Sequence, residues 1–85
     1  VLVEALKSGP DAVRKAAAEG LGRLKPRQAA VFNALVAALD DKSAEVKDKA
    51  EWALGEITRQ YLGKAPAKWR EWWKANGARF LEGKL

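Results

Sequence analysis

Apolar residues recur every three or four positions along most of the chain, the spacing of one buried face of an α-helix. Val31, Leu35 and Val36 show this spacing, and Val46 and Ala50 show it again later in the chain. No segment alternates apolar and polar residues over the length of a strand, so no sheet is predicted. The pattern predicts helices over residues 1–7, 10–24, 26–40, 43–61 and 66–76, with a short helical or irregular tail at 78–84.

Three residues act as helix start signals. Pro10 and Pro26 each suit the first position of a helix, where the missing N–H is not needed. Ser43 suits an N-cap, because its hydroxyl can accept a hydrogen bond from the first turn and the apolar series begins three residues later.

The chain repeats itself after a shift of 33 positions, which places Leu2 on Leu35 and Gly22 on Gly55. The stretch VRKAAAEGLGRL in the first copy then lies over VKDKAEWALGEI in the second. Ungapped internal similarity indicates a repeated supersecondary unit, here a pair of helices. Short connections make neighbouring helices antiparallel, and pairs repeated in register stack into a right-handed α-α superhelix.

The two quoted stretches, each preceded by L-V-x-A-L, resemble the short HEAT repeats of the phycobilisome-lyase type over residues 1–61. The resemblance implies an all-α HEAT-like solenoid of two helix-pair repeats plus a C-terminal cap helix, and a non-catalytic, protein-binding role. Lys49 stands where this family has a small residue. The single domain 1–85 is divided into repeat 1 at about 1–25, repeat 2 at about 26–61 and the cap at 62–85. Because the chain starts without methionine inside an apolar-periodic segment, we expect a fragment of a longer array.

The segment KWREWWKANG, residues 68–77, is rich in tryptophan and cations. Trp69, Trp72 and Trp73 share one face of a helix, and the charged residues take the other. Such a face can be buried core, a platform for base stacking or a membrane-interface helix. We prefer the buried face, covering the last repeat, because Trp69 and Trp72 align with core positions of the repeat. Residues 58–76 also resemble the closing segment of some bacterial arrays of this type.

Trp52 differs, because it falls almost opposite the apolar face of its own helix. Two interpretations remain: the tail at 78–85 covers it, or it is an exposed anchor for a partner. In a HEAT-like solenoid the second helices line the concave face. The predicted partner-binding residues are Glu19, Arg23, Asp48, Trp52 and Arg59.

Cysteine and histidine are both absent, which removes the commonest nucleophile–base pairs and metal ligands. We therefore predict no enzymatic activity, no cofactor and no metal, and we interpret Asp40 with Asp41 as turn and capping residues. Arg14 and its repeat equivalent Lys47 are predicted to pair with loop acids such as Asp11 and Asp41; recognition of a ligand is the alternative.

The net charge of +5 lies in the last third of the chain. Residues 1–58 carry nine basic and nine acidic side chains, whereas residues 59–85 carry seven basic and two acidic ones. The first function predicted is a protein–protein interaction or scaffold module, with the partner on the second-helix face. The alternative is nucleic-acid binding through the basic C-terminal segment. A membrane surface is not favoured, and the partner, the oligomeric state and the compartment stay open.

Overall fold

The structure, a computed structural model, describes residues 2–7 and 9–83. They form five helices and no strand. The helices are α1 (Leu2–Ala5), α2 (Asp11–Leu24), α3 (Ala29–Ala38), α4 (Ala44–Thr58) and α5 (Pro66–Leu81). The all-helical α-α solenoid is thus confirmed. Val1 and residues 84 and 85 of the predicted elements lie outside the described residues.

Small residues let the second helices of the two repeats approach closely. Ala17 and Ala18 on α2, and Ala50 and Ala53 on α4, are almost completely buried, and α2 packs along α4. The α3 helix packs on α4 through its apolar face, and α5 packs on α3. One core therefore runs from α1 to α5.

The ends of α2 and α4 are set by left-handed residues rather than by glycine. Lys25 (φ 52°) and Arg59 (φ 62°) each donate a backbone N–H to a carbonyl in the last turn of their helix. The prediction that the second helix of repeat 2 reaches residue 61 is therefore wrong, since it ends at Thr58. Tyr61, the last residue of the predicted helix 43–61, lies beyond α4 and is 69 % exposed.

The predicted starts of two helices also need correction. Pro10 is the N-cap of α2 and not its first residue, and α1 is shorter than 1–7 because residues 6 and 7 form a turn. The start of α3 at Pro26 is wrong: the helix begins at Ala29 after the extended N-cap Gln28. The extra extended residues allow Arg27 to donate to the carbonyl oxygen of Phe80 at 3.0 Å. The N-cap at Ser43 is confirmed, with the hydroxyl accepting from Val46 N at 3.4 Å.

The terminal helix α5 is one continuous helix, so the predicted break after residue 76 is wrong. Its tryptophan face packs inward, as predicted. Trp69 is fully buried, and its indole N–H donates to the carbonyl oxygen of Gly63 at 2.7 Å. Trp73 stacks on Phe32 with ring centroids 4.2 Å apart. Gly77 makes this possible, because a Cβ there would lie 2.8 Å from Cε2 of Trp73.

A guanidinium joins the loops that precede the two second helices. Arg14 Nε donates to Asp41 Oδ2 at 2.7 Å, and Nη2 donates to Asp41 Oδ1 at 3.0 Å and to Asp11 Oδ1 at 2.6 Å. The predicted pairing is confirmed for Arg14. The hydrogen bond from Arg14 lowers the pKa of the Asp41 carboxyl below its usual value. The repeats are thus joined by charge as well as by apolar packing.

Candidate partner-binding surface

Trp52 rests against a glycine of the preceding repeat. Its ring lies over Gly22 of α2 so closely that a Cβ at this glycine would come within 2.9 Å of Trp52 Cε3. Lys49 Nζ lies over the ring, 5.5 Å from its centroid. The side chain remains 37 % exposed. Trp52 is therefore partly exposed, and its contacts with Gly22 and Lys49 fix the position of its ring.

The described part of the tail, residues 78–83, does not provide the cover for Trp52 that one interpretation required, since Trp52 stays 37 % exposed. Phe80, the aromatic residue of that tail, is buried against Trp72 and Trp73, with centroid distances of 6.0 and 5.8 Å. This segment continues α5, which packs mainly on α3.

Glu19 and Arg23 lie on α2, the helix whose Gly22 contacts this ring. Glu19 Oε2 accepts from Arg23 at 3.1 Å and from Lys49 at 3.4 Å. The bond from Lys49, followed by the nearby positive charges, lowers the pKa of Glu19. Lys49 thus links Glu19 on α2 with Trp52 on α4. Three of the five predicted residues are brought together, and Lys49 is a surface residue that the prediction missed.

Asp48 lies one turn before Trp52 on α4 and faces the α4–α5 connection. Lys64 Nζ contacts Asp48 Oδ1 at 2.9 Å and Glu51 Oε1 at 3.1 Å. These two carboxylates raise the pKa of Lys64. Asp48 is therefore paired with Lys64 of the α4–α5 connection.

Tyr61 was missed as a surface residue. Its ring covers Gly55, where a Cβ would lie 2.6 Å from Tyr61 Cδ1, and its hydroxyl donates to Glu56 Oε2 at 3.2 Å. Gly22 and Gly55 are equivalent in the 33-residue repeat, so each repeat offers a glycine to an aromatic ring. The sequence signal for these two ring contacts was the glycine found at the same position of both repeats. We call Glu19, Arg23, Lys49, Trp52 and Tyr61, with Asp48, the second-helix surface.

Arg59 is separated from this set. It forms the C-cap of α4 and lines a cavity of about 480 Å³ that also involves Arg27, Trp72 and Phe80. It therefore faces the junction with α5.

Metal-ligating clusters and membrane-spanning helices were sought in the described part of the chain. Within residues 2–7 and 9–83, no three acidic side chains converge as a metal site would require. Of the helices in these ranges, none has the length and apolar content needed to cross a bilayer.

Comparison with known proteins gives one match. A sequence model of a family described as HEAT repeats matches residues 1–67, which is most of the chain. No curated protein and no solved structure was found to match. The match extends from α1 into the first residues of α5.

Proposed function

Because the chain belongs to the HEAT repeat family, we propose that it is a non-catalytic protein-interaction module that holds its partner on the second-helix surface. HEAT repeats generally mediate protein–protein interactions or scaffolding and are typically non-catalytic. The phycobilisome-lyase type remains a prediction about the subclass.

The observation that supports the proposal is the setting of Trp52. Tryptophan and arginine are enriched among the residues that dominate binding energy at interfaces. Here a partly exposed tryptophan is held by Gly22 and Lys49, so little side-chain freedom is lost when a partner covers it. Arg23 and Tyr61 offer further exposed contacts.

The charges of this surface favour a protein partner over a polyanion. Glu19 and Asp48 alternate with Arg23, Lys49 and Lys64, and their ion pairs leave no run of one sign. Nucleic acid would require cations beside exposed rings. On α5 the cations are exposed but Trp69 is buried and Trp73 stacks inward on Phe32.

The test compares Trp52→Ala with Leu81→Ala, a matched removal of an exposed apolar side chain on α5 (43 % exposed). A partner isolated from source cells is purified and its affinity is measured by calorimetry. We expect Trp52→Ala to weaken binding about thirtyfold, a loss of ~2 kcal/mol typical of an interface anchor, and Leu81→Ala to leave it unchanged. Thermal melts verify that both variants are folded.

Nucleic-acid binding through the basic C-terminal segment, the alternative function, predicts the opposite result for these variants. If Trp52→Ala binds the partner normally while neutralising Lys68, Arg70 and Lys74 abolishes binding, the second-helix surface is the wrong site. If the chain also binds duplex DNA with a sequence preference that survives at physiological salt, the nucleic-acid function replaces our proposal.

A further inference from the structure

Two aromatic rings of the second-helix surface pack on equivalent positions of the two repeats. The ring of Trp52 packs on Gly22 of α2, and the ring of Tyr61 packs on Gly55 of α4. The two glycines occupy the same position of the 33-residue repeat. Because α2 packs along α4 and packed helices lie about 8–10 Å apart, we expect the two rings to be separated by about one such spacing. A partner that contacts both rings must offer two apolar groups at this distance.

This distance favours a helical partner over an extended one. In an α-helix, residues i and i+7 lie on the same face and are about 10.5 Å apart along the axis. In an extended segment, side chains on the same side recur after about 6.6 Å and again after about 13 Å. The helix therefore gives the nearer match, with two apolar residues seven positions apart.

The ion pairs beside the Trp52 contact have an excess of positive charge. Arg23 and Lys49 both donate to Glu19 Oε2, at 3.1 and 3.4 Å, so two cations share one carboxylate. Lys49 also lies over the Trp52 ring, and Arg23 is exposed. We call Glu19, Arg23 and Lys49 the positive cluster. It joins α4 to α2, as the contact between Trp52 and Gly22 does.

The ion pairs that involve the α4–α5 connection have the opposite excess. Lys64 Nζ contacts Asp48 Oδ1 at 2.9 Å and Glu51 Oε1 at 3.1 Å, so two carboxylates share one cation. Asp48 is exposed and within reach of a partner. We call Asp48, Glu51 and Lys64 the negative cluster. It joins α4 to the connection, as the contact between Tyr61 and Gly55 does.

We propose that the second-helix surface binds an amphipathic helix of the partner, with apolar residues i and i+7 on Trp52 and Tyr61. Acidic residues of this helix lie beside the positive cluster, and basic residues lie beside the negative cluster. Acidic residues stabilise the start of a helix and basic residues its end, so the partner helix runs from α2 toward the α4–α5 connection. The proposal rests on the proposed function, because it specifies the partner held at the same surface.

The experiment titrates the full chain with a blocked peptide and follows the tryptophan indole N–H signals in ¹H–¹⁵N spectra. The probe AEELAEAAAALAKKAKA has acidic and basic ends and two leucines seven positions apart. The control AEELAEAALAAAKKAKA has the same composition and ends, but its leucines are five positions apart and point to different sides of the helix. Trp52→Phe identifies the Trp52 signal. We expect the probe to shift this signal and to bind at least about tenfold more tightly than the control.

Loss of the second ring should weaken binding of the probe. We expect Tyr61→Ala to raise the dissociation constant about tenfold, as removal of an interface anchor does. Leu81→Ala, which removes an exposed apolar side chain of α5, should leave the dissociation constant unchanged. Thermal melts verify that both variants are folded.

Two charge variants of opposite sign test the two clusters. We expect Arg23→Gln and Asp48→Asn each to weaken binding about threefold, since exposed ion pairs contribute little. A general effect of net charge would instead weaken binding in one variant and strengthen it in the other. Arg70→Gln, which removes a cation from the exposed side of α5, should bind as the parent does.

Three results would overturn the proposal. The Trp52 signal stays in place at about millimolar peptide, the limit of weak binding. The two peptides bind equally well, which shows that the leucine spacing is not recognised. Arg23→Gln and Asp48→Asn change the affinity in opposite directions, which shows that only net charge acts. If the partner isolated from source cells still requires Trp52 in any of these cases, the proposed function stands and only the helical character of the partner is wrong.

Discussion

At the scale of single residues, three glycines determine where aromatic rings lie. Gly22, Gly55 and Gly77 each sit inside a helix and each meet a ring that a Cβ would obstruct. Glycine within a helix costs about 1 kcal/mol relative to alanine, so the aromatic contact must offset this cost. At Gly22 the contact also places the ring of the candidate anchor.

Gly22→Ala should therefore destabilise the protein, against the usual propensity gain. The new Cβ would lie 3.0 Å from the Cα of Ala53 as well as against the Trp52 ring. Overpacking of this kind costs about 1–3 kcal/mol. Urea unfolding measures it, and the same change in a Trp52→Ala background should cost less because the ring is gone. An equal loss of unfolding free energy in both backgrounds would show that the Trp52 ring does not pack against Gly22 in solution.

At the scale of elements, α5 is joined to the repeats by its aromatic face. Trp69 is fully buried and bonded to Gly63, and Trp72, Trp73, Phe80 and Phe32 form one aromatic cluster. Aromatic side chains bury about 150–250 Å² each, so this face contributes a large share of a small core. We therefore expect α5 to contribute mainly to the stability of the fold.

Trp69→Ala should destabilise the protein by about 3–5 kcal/mol, because it leaves a large cavity and an unpaired carbonyl. Lys74→Ala on the exposed side of the same helix is the control, with an expected change within about 0.5 kcal/mol. Thermal and urea unfolding provide the comparison. A Trp69→Ala variant that melts like the parent yet loses its partner would make this helix a binding surface instead.

At the scale of the whole molecule, charge is used differently in the two parts of the chain. In the repeats, cations and acids balance and join one helix to the next, as Arg14 does with Asp41 and Lys15 with Glu45 at 2.7 Å. In residues 59–85 cations exceed acids by five, seven minus two. We therefore expect the stability of the repeats to depend on pH through the carboxylates of these ion pairs.

Asp41→Asn should lower stability at neutral pH but not in acid. The pKa of Asp41 in the folded state lies below its model-peptide value of 3.8, so its ion pair stabilises the fold above that value. The contribution is lost as pH falls through the lower folded pKa. Urea midpoints of parent and variant should differ at about pH 7 and converge toward about pH 3 or below.

Asp40→Asn is the matched control for this prediction, because Asp40 is exposed and makes no ion pair with any described residue. Its urea midpoint should follow that of the parent at every pH. A gap between Asp41→Asn and the parent that stays constant into acid would show that the carboxylate charge is not the cause.

The sequence by itself determined the helical class, the repeat and the inward face of α5. These follow from local spacing: apolar residues at helical intervals place Val36, Val46 and Trp69 in the core whatever their exact partners are. The Ser43 cap and the pairing of Arg14 with acidic loop residues also depend on chemistry visible in the sequence. Glu19, Arg23 and Trp52 could be grouped from the sequence because the repeat register fixes which helix positions lie side by side; their role in binding a partner stays a prediction.

Only the tertiary structure decided the contacts between parts of the chain that are distant in sequence. Arg27 and Phe80, 53 residues apart, meet because α5 continues to Leu81 and lies along α3. With this docking, α3 begins at Ala29 and Phe80 packs on Trp72 and Trp73 and not on Trp52. The same docking forms the cavity that Arg59 lines. Helix periodicity states which face of a helix is buried but not which neighbour buries it. The partner of each ring and cation therefore depends on how the helices dock.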